Sequence, residues 1–390
     1  MVERTRYAVL DVETTIYQKG TPFAERNRLC YVGIRIDGIN YLFDVEYGSE
    51  PYADKLQGIV ELLDSVHTVV GFNIKFDLNW LARYGIQLRE RHRVYDLQNA
   101  EFIKSGQTEI MPSLDECLGK YNLGEKDHTI ETEYWSKGID TPEVPRELLE
   151  HYLSCDLEVE DRLYEYYLLN MPESQAALLR LVNADLLVLQ EMEYNGMVLD
   201  WATISAKAEE TQQRLKEVDE QLSEFVQLEF RGIFNPGSGD HLSALLYGGT
   251  VTCKQGTPYQ HTFKSGSRVG ESCTRYRWES RTFEFPRLVT PIEGSELKKS
   301  GYWSTDLFYL RQLKKPKKLL ELLLDRADLE KLYSTYYDGL AKLREKFDWQ
   351  DGCLHGQFNQ CVARTGRLSA SNPNQQNFDK RIHQHIITRH

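Results

Sequence analysis

Residues 6–15 read RYAVLDVETT. A short apolar run that ends in acids predicts a buried β-strand delivering carboxylates at its end. Asp11 and Glu13 stand two residues apart, so on a strand their side chains leave the same face. A fold that begins this way must bury the strand and still satisfy two carboxylates beside it.

The following residues supply partners for that strand. LCYVGIRIDGINYLFDV (29–45) holds two β-rich runs around Asp37-Gly38, a hairpin signal. YADKLQGIVELLDSV (52–66) has helical spacing, and HTVVGFN (67–73) reads as another buried strand. KFDLNWLARYG (75–85) reads as a helix closed by Gly85. Strands first, then strands alternating with helices, predict an α/β domain with a mixed sheet flanked by helices. Pro145 marks the start of a further helix, with apolar spacing through Tyr167.

From residue 172 the character changes to long helices. PESQAALLRLVNADLLVLQEMEYNG (172–196) is helical up to Asn195-Gly196. Asp200 then caps a stretch without Gly or Pro from Trp201 to Arg231. Its apolar stripe, Ile204, Ala208, Leu215, Val218, Leu222 and Phe225, is spaced for two antiparallel helices to pack. Residues 248–303 break this pattern. They are rich in Gly, Thr, Ser and aromatics, and SCTRYRWESRTFEFP (272–286) alternates basic with aromatic residues as an exposed β-hairpin would. A basic turn, RQLKKPKK (311–318), precedes a Leu- and Tyr-rich helix expected at 319–347.

Charge is segregated. The net charge is −12, yet residues 251–390 carry 24 Lys and Arg against 15 Asp and Glu, while residues 1–190 carry 19 against 33. The C-terminal third is therefore able to face a polyanion on its own. No apolar run reaches the roughly 20 residues that span a membrane, and no membrane partner is expected. The seven cysteines are scattered, with no C-x-x-C, which suits a reducing cytoplasm and offers no zinc pattern.

Two more acids stand out by context. Asp77 follows GFNIKF at a strand-to-helix junction, and Asp156 lies on the helix after Pro145, with Tyr152 four residues before it. If Asp11, Glu13, Asp77 and Asp156 converge, they repel one another unless cations neutralise them. Two Mg²⁺ ions, or Mn²⁺, answer that need. Ions about 3.5–4 Å apart can also clamp a phosphodiester for in-line attack by water.

DVET (11–14), GFNIKFD (71–77) and YLSCD (152–156) resemble, in order, the three motifs of the DEDD 3′–5′ exonucleases. The resemblance implies a ribonuclease H-like fold in residues 1–171 and removal of nucleotides from DNA 3′ ends. It implies Asp11, Glu13, Asp77 and Asp156 as metal ligands. In one branch of that superfamily a Tyr four residues before the last Asp orients the water, and in another a His five before it does. This chain has both, as His151-Tyr152. On a helix Tyr152 lies about 40° round from Asp156 and His151 about 140°, which favours Tyr152.

EMEYNGMVLD (191–200), FNPGSGDHLSALLYG (234–248), STYYDGL (334–340) and LHGQFNQCVARTGRLSASNPNQQN (354–377) resemble the thumb and the start of the palm of family A DNA polymerases, phage-type enzymes in particular. The resemblance implies a mainly helical thumb at 172–350 with a β-rich basic insertion at 249–302, then the start of a palm at 351–390. It places Arg364, Thr365, Arg367, Ser369, Asn374, Gln376 and Asn377 on primer–template DNA, the arginine in the minor groove. Lys314 and Lys315 would hold the backbone. The insertion is a candidate for contact with DNA or a processivity factor. The two palm aspartates and the nucleotide-binding helix of that family have no counterpart in the 390 residues. The expected function is therefore proofreading hydrolysis of single-stranded 3′ ends, with synthesis only in company of a second polypeptide carrying palm and fingers. The expected setting is a bacterial or phage-infected cytoplasm. A self-sufficient exonuclease and a non-catalytic DNA-binding remnant are the alternatives.

Overall fold

The computed structural model describes residues 6–48, 53–266, 268–349 and 352–388. Tyr52, where the first expected helix begins, lies outside them. The chain divides into two compact units, residues 1–201 with 340–390, and residues 202–339.

The first unit is built on a five-stranded sheet in the order β3-β2-β1-β4-β5. Its strands are β1 (Tyr7–Thr14), β2 (Leu29–Ile36), β3 (Ile39–Asp44), β4 (Thr68–Gly71) and β5 (Arg93–Asp96). β1 is central, antiparallel to β2 and parallel to β4, so the sheet is mixed. Asp37 and Gly38 both take positive φ at the β2–β3 turn, as the hairpin signal requires. The helices are α1 (Ala53–Asp64), α2 (Lys75–Arg83), α3 (Leu97–Lys104), α4 (Leu114–Tyr121), α5 (Thr129–Glu133), α6 (Arg146–Asn170) and α7 (Glu173–Asn195). Period-two alternation sorts β1 between two cores. Ala8, Leu10 and Val12 join a cluster with Ile59, Trp80 and Leu81. Val9 faces the opposite way, onto Leu153, Leu157 and Leu163 of α6. Asp11 and Glu13 share the parity of Val9, which turns them toward α6.

α6 comes unusually close to the sheet because Gly33 stands opposite Asp11 in the β1–β2 register. A Cβ at Gly33 would lie 2.9 Å from Leu153 Cγ and from Leu157 Cδ1. A second anchor is Glu101, fully buried on α3. Its carboxylate accepts from Lys120 Nζ at 2.7 Å, Tyr121 Oη at 2.8 Å and Tyr167 Oη at 2.6 Å. Burial pushes its pKa up, but those donors outweigh burial and hold it below the usual value.

In the second unit α8 (Trp201–Ser223), preceded by the short β6 (Met197–Val198), is shorter than the Gly- and Pro-free stretch that ends at Arg231. The chain turns after Ser223 so that Phe230 packs against Phe283 and Phe285, at ring distances of 4.7 and 5.1 Å. α9 (Gly239–Tyr247) leads into a two-stranded ribbon, β7 (Gly249–Thr262) and β8 (Ser272–Phe285), paired at fourteen positions. After the single turn α10 (Leu307–Leu310) comes α11 (Lys317–Lys331), which passes through a π-helical turn at Leu332–Tyr337. Gln212, Asp219 and Phe225 meet Tyr333, Arg326 and Lys318 in that order, so α8 and α11 run antiparallel. Val218, Leu222, Leu319 and Leu323 fill the seam.

The last residues rejoin the first unit after α12 (Asp338–Phe347). β9 (Cys353–Leu354) pairs with β6, and β10 (Gln357–Asn359) pairs with β11 (Ser369–Ser371). Glu193 of α7, nearly fully buried, ties this segment down. It accepts from Lys75 Nζ at 2.6 Å, Asn79 Nδ2 at 3.2 Å and the Phe358 backbone N–H at 2.6 Å.

Two outcomes follow. Gly33→Val should lower the urea-unfolding free energy by about 1–3 kcal/mol, because the added side chain must push α6 off the sheet. Glu101→Gln should cost about 1–2 kcal/mol at pH 7 by replacing charge-assisted hydrogen bonds from Lys120, Tyr121 and Tyr167 with neutral ones. Because the folded carboxyl titrates below its unfolded value of about 4.3, the stabilisation is present above that pH and is lost as pH falls through the folded pKa. Melting curves of the two proteins should therefore converge in acid.

Candidate active site

β1 and α6 together assemble the acids. Carboxylate oxygens of Asp11, Glu13 and Asp156 lie within 4.8 Å of one another. Glu13 and Asp156 are buried, and Asp11 is half-buried. Asp77, in the first turn of α2, is buried at 3% exposure and lies outside this trio, but it feels the charge of Asp11. α6 adds Glu160, one turn beyond Asp156 and equally buried. Sequence reasoning passed over Glu160. Its signal was available, since Tyr152, Asp156 and Glu160 recur every four residues on one helix face.

The electrostatics are those of crowded acids out of water. Burial raises Asp11 to about 6, against the pull of Lys126. Burial raises Asp156 to about 8, with Lys126 opposing and Asp11 adding. Glu13, Asp77 and Glu160 are all pushed well above the carboxylate range, first by burial and then by neighbouring carboxylates. The compensating cation is Lys126, from the loop between α4 and α5, with Nζ 3.3 Å from Asp156 and 3.1 Å from Glu131. Nothing in the spacing of LGEKDHT marked it.

Tyr152 is buried beside this group, its ring edge-on to Trp135 at 5.7 Å. Its hydroxyl donates to Glu131 at 3.1 Å. Burial and the charges of Glu13 and Asp156 push its pKa up, so it remains a neutral phenol. His151 is exposed, with Nε2 3.6 Å from Cys155 Sγ. Two buried carboxylate oxygens, Asp156 Oδ1 and Glu160 Oε2, accept no hydrogen bond. Orphaned acceptors amid five acids are the donor set that hard divalent cations take.

The remaining expected site residues lie elsewhere. Arg364, Thr365 and Arg367 are exposed in the loop before β11, and Ser369 starts that strand half-buried. Asn374, Gln376 and Asn377 are exposed at and within the short 3₁₀ turn Gln375–Asn377. Lys314 and Lys315 are exposed in the second unit, just before α11. In the first unit a polar cleft of about 570 Å³ opens beside α2, lined by Asn73, Lys75, Asp96, Glu193 and Asn359 among others. Among the described residues no helix is long and apolar enough to cross a membrane.

Residues 285–390 match the family model of DNA polymerase family A. The chain is 40% identical over 97 residues to DNA polymerase I of Synechocystis, a match covering 25% of this chain and 9% of that protein. Longer matches reach DNA polymerase I of Pseudomonas aeruginosa, 25% identical over 316 residues (79% of this chain, 29% of the relative). DNA polymerase I of Streptococcus pneumoniae is 26% identical over 318 residues (76% and 31%). The chain thus spans less than a third of these relatives. Its fold is similar to the solved POL domain of Pol1 from M. smegmatis, in complex with DNA primer-template and dNTP. The TM-score is 0.63 at 20% identity, over 97% of this chain and 53% of that one. The likeness to family A DNA polymerases is thus carried by residues 285–390 in the family model and, at lower identity, by longer stretches of the chain.

If the acids are held together against their own repulsion, removing one should stabilise the metal-free protein. Glu160→Gln should raise the melting temperature in EDTA. The folded pKa is raised, so the burden is absent below the unfolded value of about 4.3 and grows as pH rises above it. The gain should therefore be larger at pH 8 than at pH 5, by differential scanning fluorimetry.

Proposed function

We propose that residues 1–171, within the first unit, form a two-cation 3′–5′ exonuclease of ribonuclease H-like fold that edits DNA 3′ ends during replication. The observation that carries this reading is the convergence of Asp11, Glu13 and Asp156 within 4.8 Å, with orphaned carboxylate oxygens at its rim. Asp11, Glu13, Asp77 and Asp156 would hold Mg²⁺ or Mn²⁺. Bound there, the cations supply neutralising charge to the carboxylates and to the phosphodiester.

The chain's own residues do the rest. Tyr152, neutral and fixed by Trp135, has a phenol that can share a hydrogen bond with an attacking water and orient it. The water oxygen bonds to phosphorus as the bond to the 3′-oxygen breaks; the water gives up one proton to solvent, and the leaving oxygen takes one from solvent to depart as a hydroxyl. Lys126 sets an ammonium beside Asp156, where it can meet a phosphate oxygen. Arg364, Thr365, Arg367, Ser369, Asn374, Gln376 and Asn377 would grip primer–template, with Lys314 and Lys315 on the backbone. The functional division is exonuclease at 1–171, thumb at 172–350 and palm start at 351–390. Primer extension by this protein alone and after mixing with a polypeptide carrying palm and fingers tests the split-polymerase reading.

The central test is hydrolysis of a labelled single-stranded oligonucleotide with Mg²⁺. Asp11→Ala and Asp156→Ala should each lose at least about 100-fold in rate, and Tyr152→Phe about 10- to 100-fold. His151→Ala should keep the wild-type rate. A wild-type protein that cleaves nothing, or an Asp11→Ala variant of undiminished rate, sinks the assignment.

A further inference from the structure

The β7–β8 ribbon has two faces of different chemistry. The register pairs Tyr259 with Arg275, Thr257 with Arg277 and Cys253 with Arg281. Those residues share the parity of Val251, Phe283 and Phe285, which are buried at the ribbon's base in the core of the second unit. The same face that roots the ribbon therefore carries, farther out, a row of three exposed arginines. Same-face neighbours on a strand are roughly 7 Å apart, so Arg275 and Arg277 are adjacent in the row and Arg281 stands two steps on, beyond Glu279.

None of the three makes an ion pair among the described residues, whereas Arg214 and Arg326 of the same unit are paired with Asp325 and Asp219. Two are held on rings instead. The Arg275 guanidinium lies 5.4 Å from the Phe263 ring centroid and that of Arg277 6.0 Å from Tyr259. A guanidinium lying on a ring keeps its in-plane N–H groups free for an anion. Three unneutralised, spaced, exposed guanidinium groups match a repeating anion rather than a single one.

We propose that this arginine row is a sequence-neutral DNA contact that tracks the phosphate backbone, outside both the carboxylate cluster and the 364–377 segment. The proposal shares only its ligand, DNA, with the exonuclease reading. The opposite face, where Trp278 covers Gly256 and Tyr276 stands next to it, is not required.

The test is fluorescence anisotropy of labelled single-stranded and hairpin duplex DNA, 3′-protected and in EDTA, titrated with NaCl. The Arg275→Gln/Arg277→Gln/Arg281→Gln variant should bind about 10-fold or more weakly at low salt. Its plot of log K against log salt should be shallower by about 2 to 3. The triple Arg→Lys variant should retain most of the slope, and melting temperatures should not move, since all three side chains are exposed. Unchanged affinity and slope in the Gln variant overturn the proposal and leave the ribbon as a surface for a protein partner. Hydrolysis of a trinucleotide at saturating concentration should be equal in wild type and variant, since none of the three arginines belongs to the carboxylate cluster. A wild type that shows the full slope but hydrolyses nothing overturns the active-site reading and leaves this one standing.

Discussion

Three carboxylates and one ammonium meet where β1 passes under α6, with Asp77 and Glu160 near enough to feel their charge, and much of the first unit is arranged to tolerate that. Desolvation opposes every one of these charges, and each raises the pKa of its neighbours. A site so unfavourable for its own charges persists only where surrounding packing fixes the geometry. Here it is fixed by the apolar contact of Leu153 and Leu157 with the sheet, which requires Gly33. The strain of the acids is thus held by carbon contacts on the same helix, one turn or less from Asp156.

A second buried charge works the other way. Glu193 is satisfied by Lys75, Asn79 and the Phe358 N–H, and Lys75 also donates to the Phe358 carbonyl. The bonds join α7, the helix that carries Asp77, and the β10 strand that pairs with Ser369. A charge left without these partners would cost several kcal/mol, so docking of the 353–361 segment and the position of Asp77 are coupled through one carboxylate. That physical link connects the residues expected to grip primer–template with a residue expected to edit it.

Much of this was legible from sequence because it depends on local period. The buried runs of β1 and β4, the Asp37-Gly38 turn and the α6 helix follow from alternation, turn chemistry and the proline signal. Spacing put Asp11 and Glu13 on one face of β1, and the resemblance of the three motifs implied that Asp156 joins them. Lys126 and Glu193 were not legible. Lys126 reaches the cluster through Asp156 on another element, and Glu193 through partners more than 100 residues away, and neither sits in a local pattern that distinguishes it from a solvated residue. The early end of α8 was likewise hidden, because Phe230 leaves the helix for aromatic partners some 50 residues further on.

Charge segregation takes on a physical meaning once the site is known. Residues 1–190, which supply all the clustered acids, carry 33 acidic against 19 basic residues. For a polyanionic substrate such a surface is repulsive until cations arrive, so it cannot supply most of the attraction itself. Attraction must come from groups whose charge is not already spent on partners. Most of the first unit's arginines and lysines with described contacts are paired, as Arg35 is with Asp161 and Lys120 with Glu101 and Glu109. Residues 251–390 reverse the balance, 24 basic to 15 acidic, and hold both the exposed 364–367 loop and the unpaired arginine row. If the acidic cluster cleaves a strand, as proposed, the hold on that strand must come from groups outside it, and the basic balance of the last third offers them.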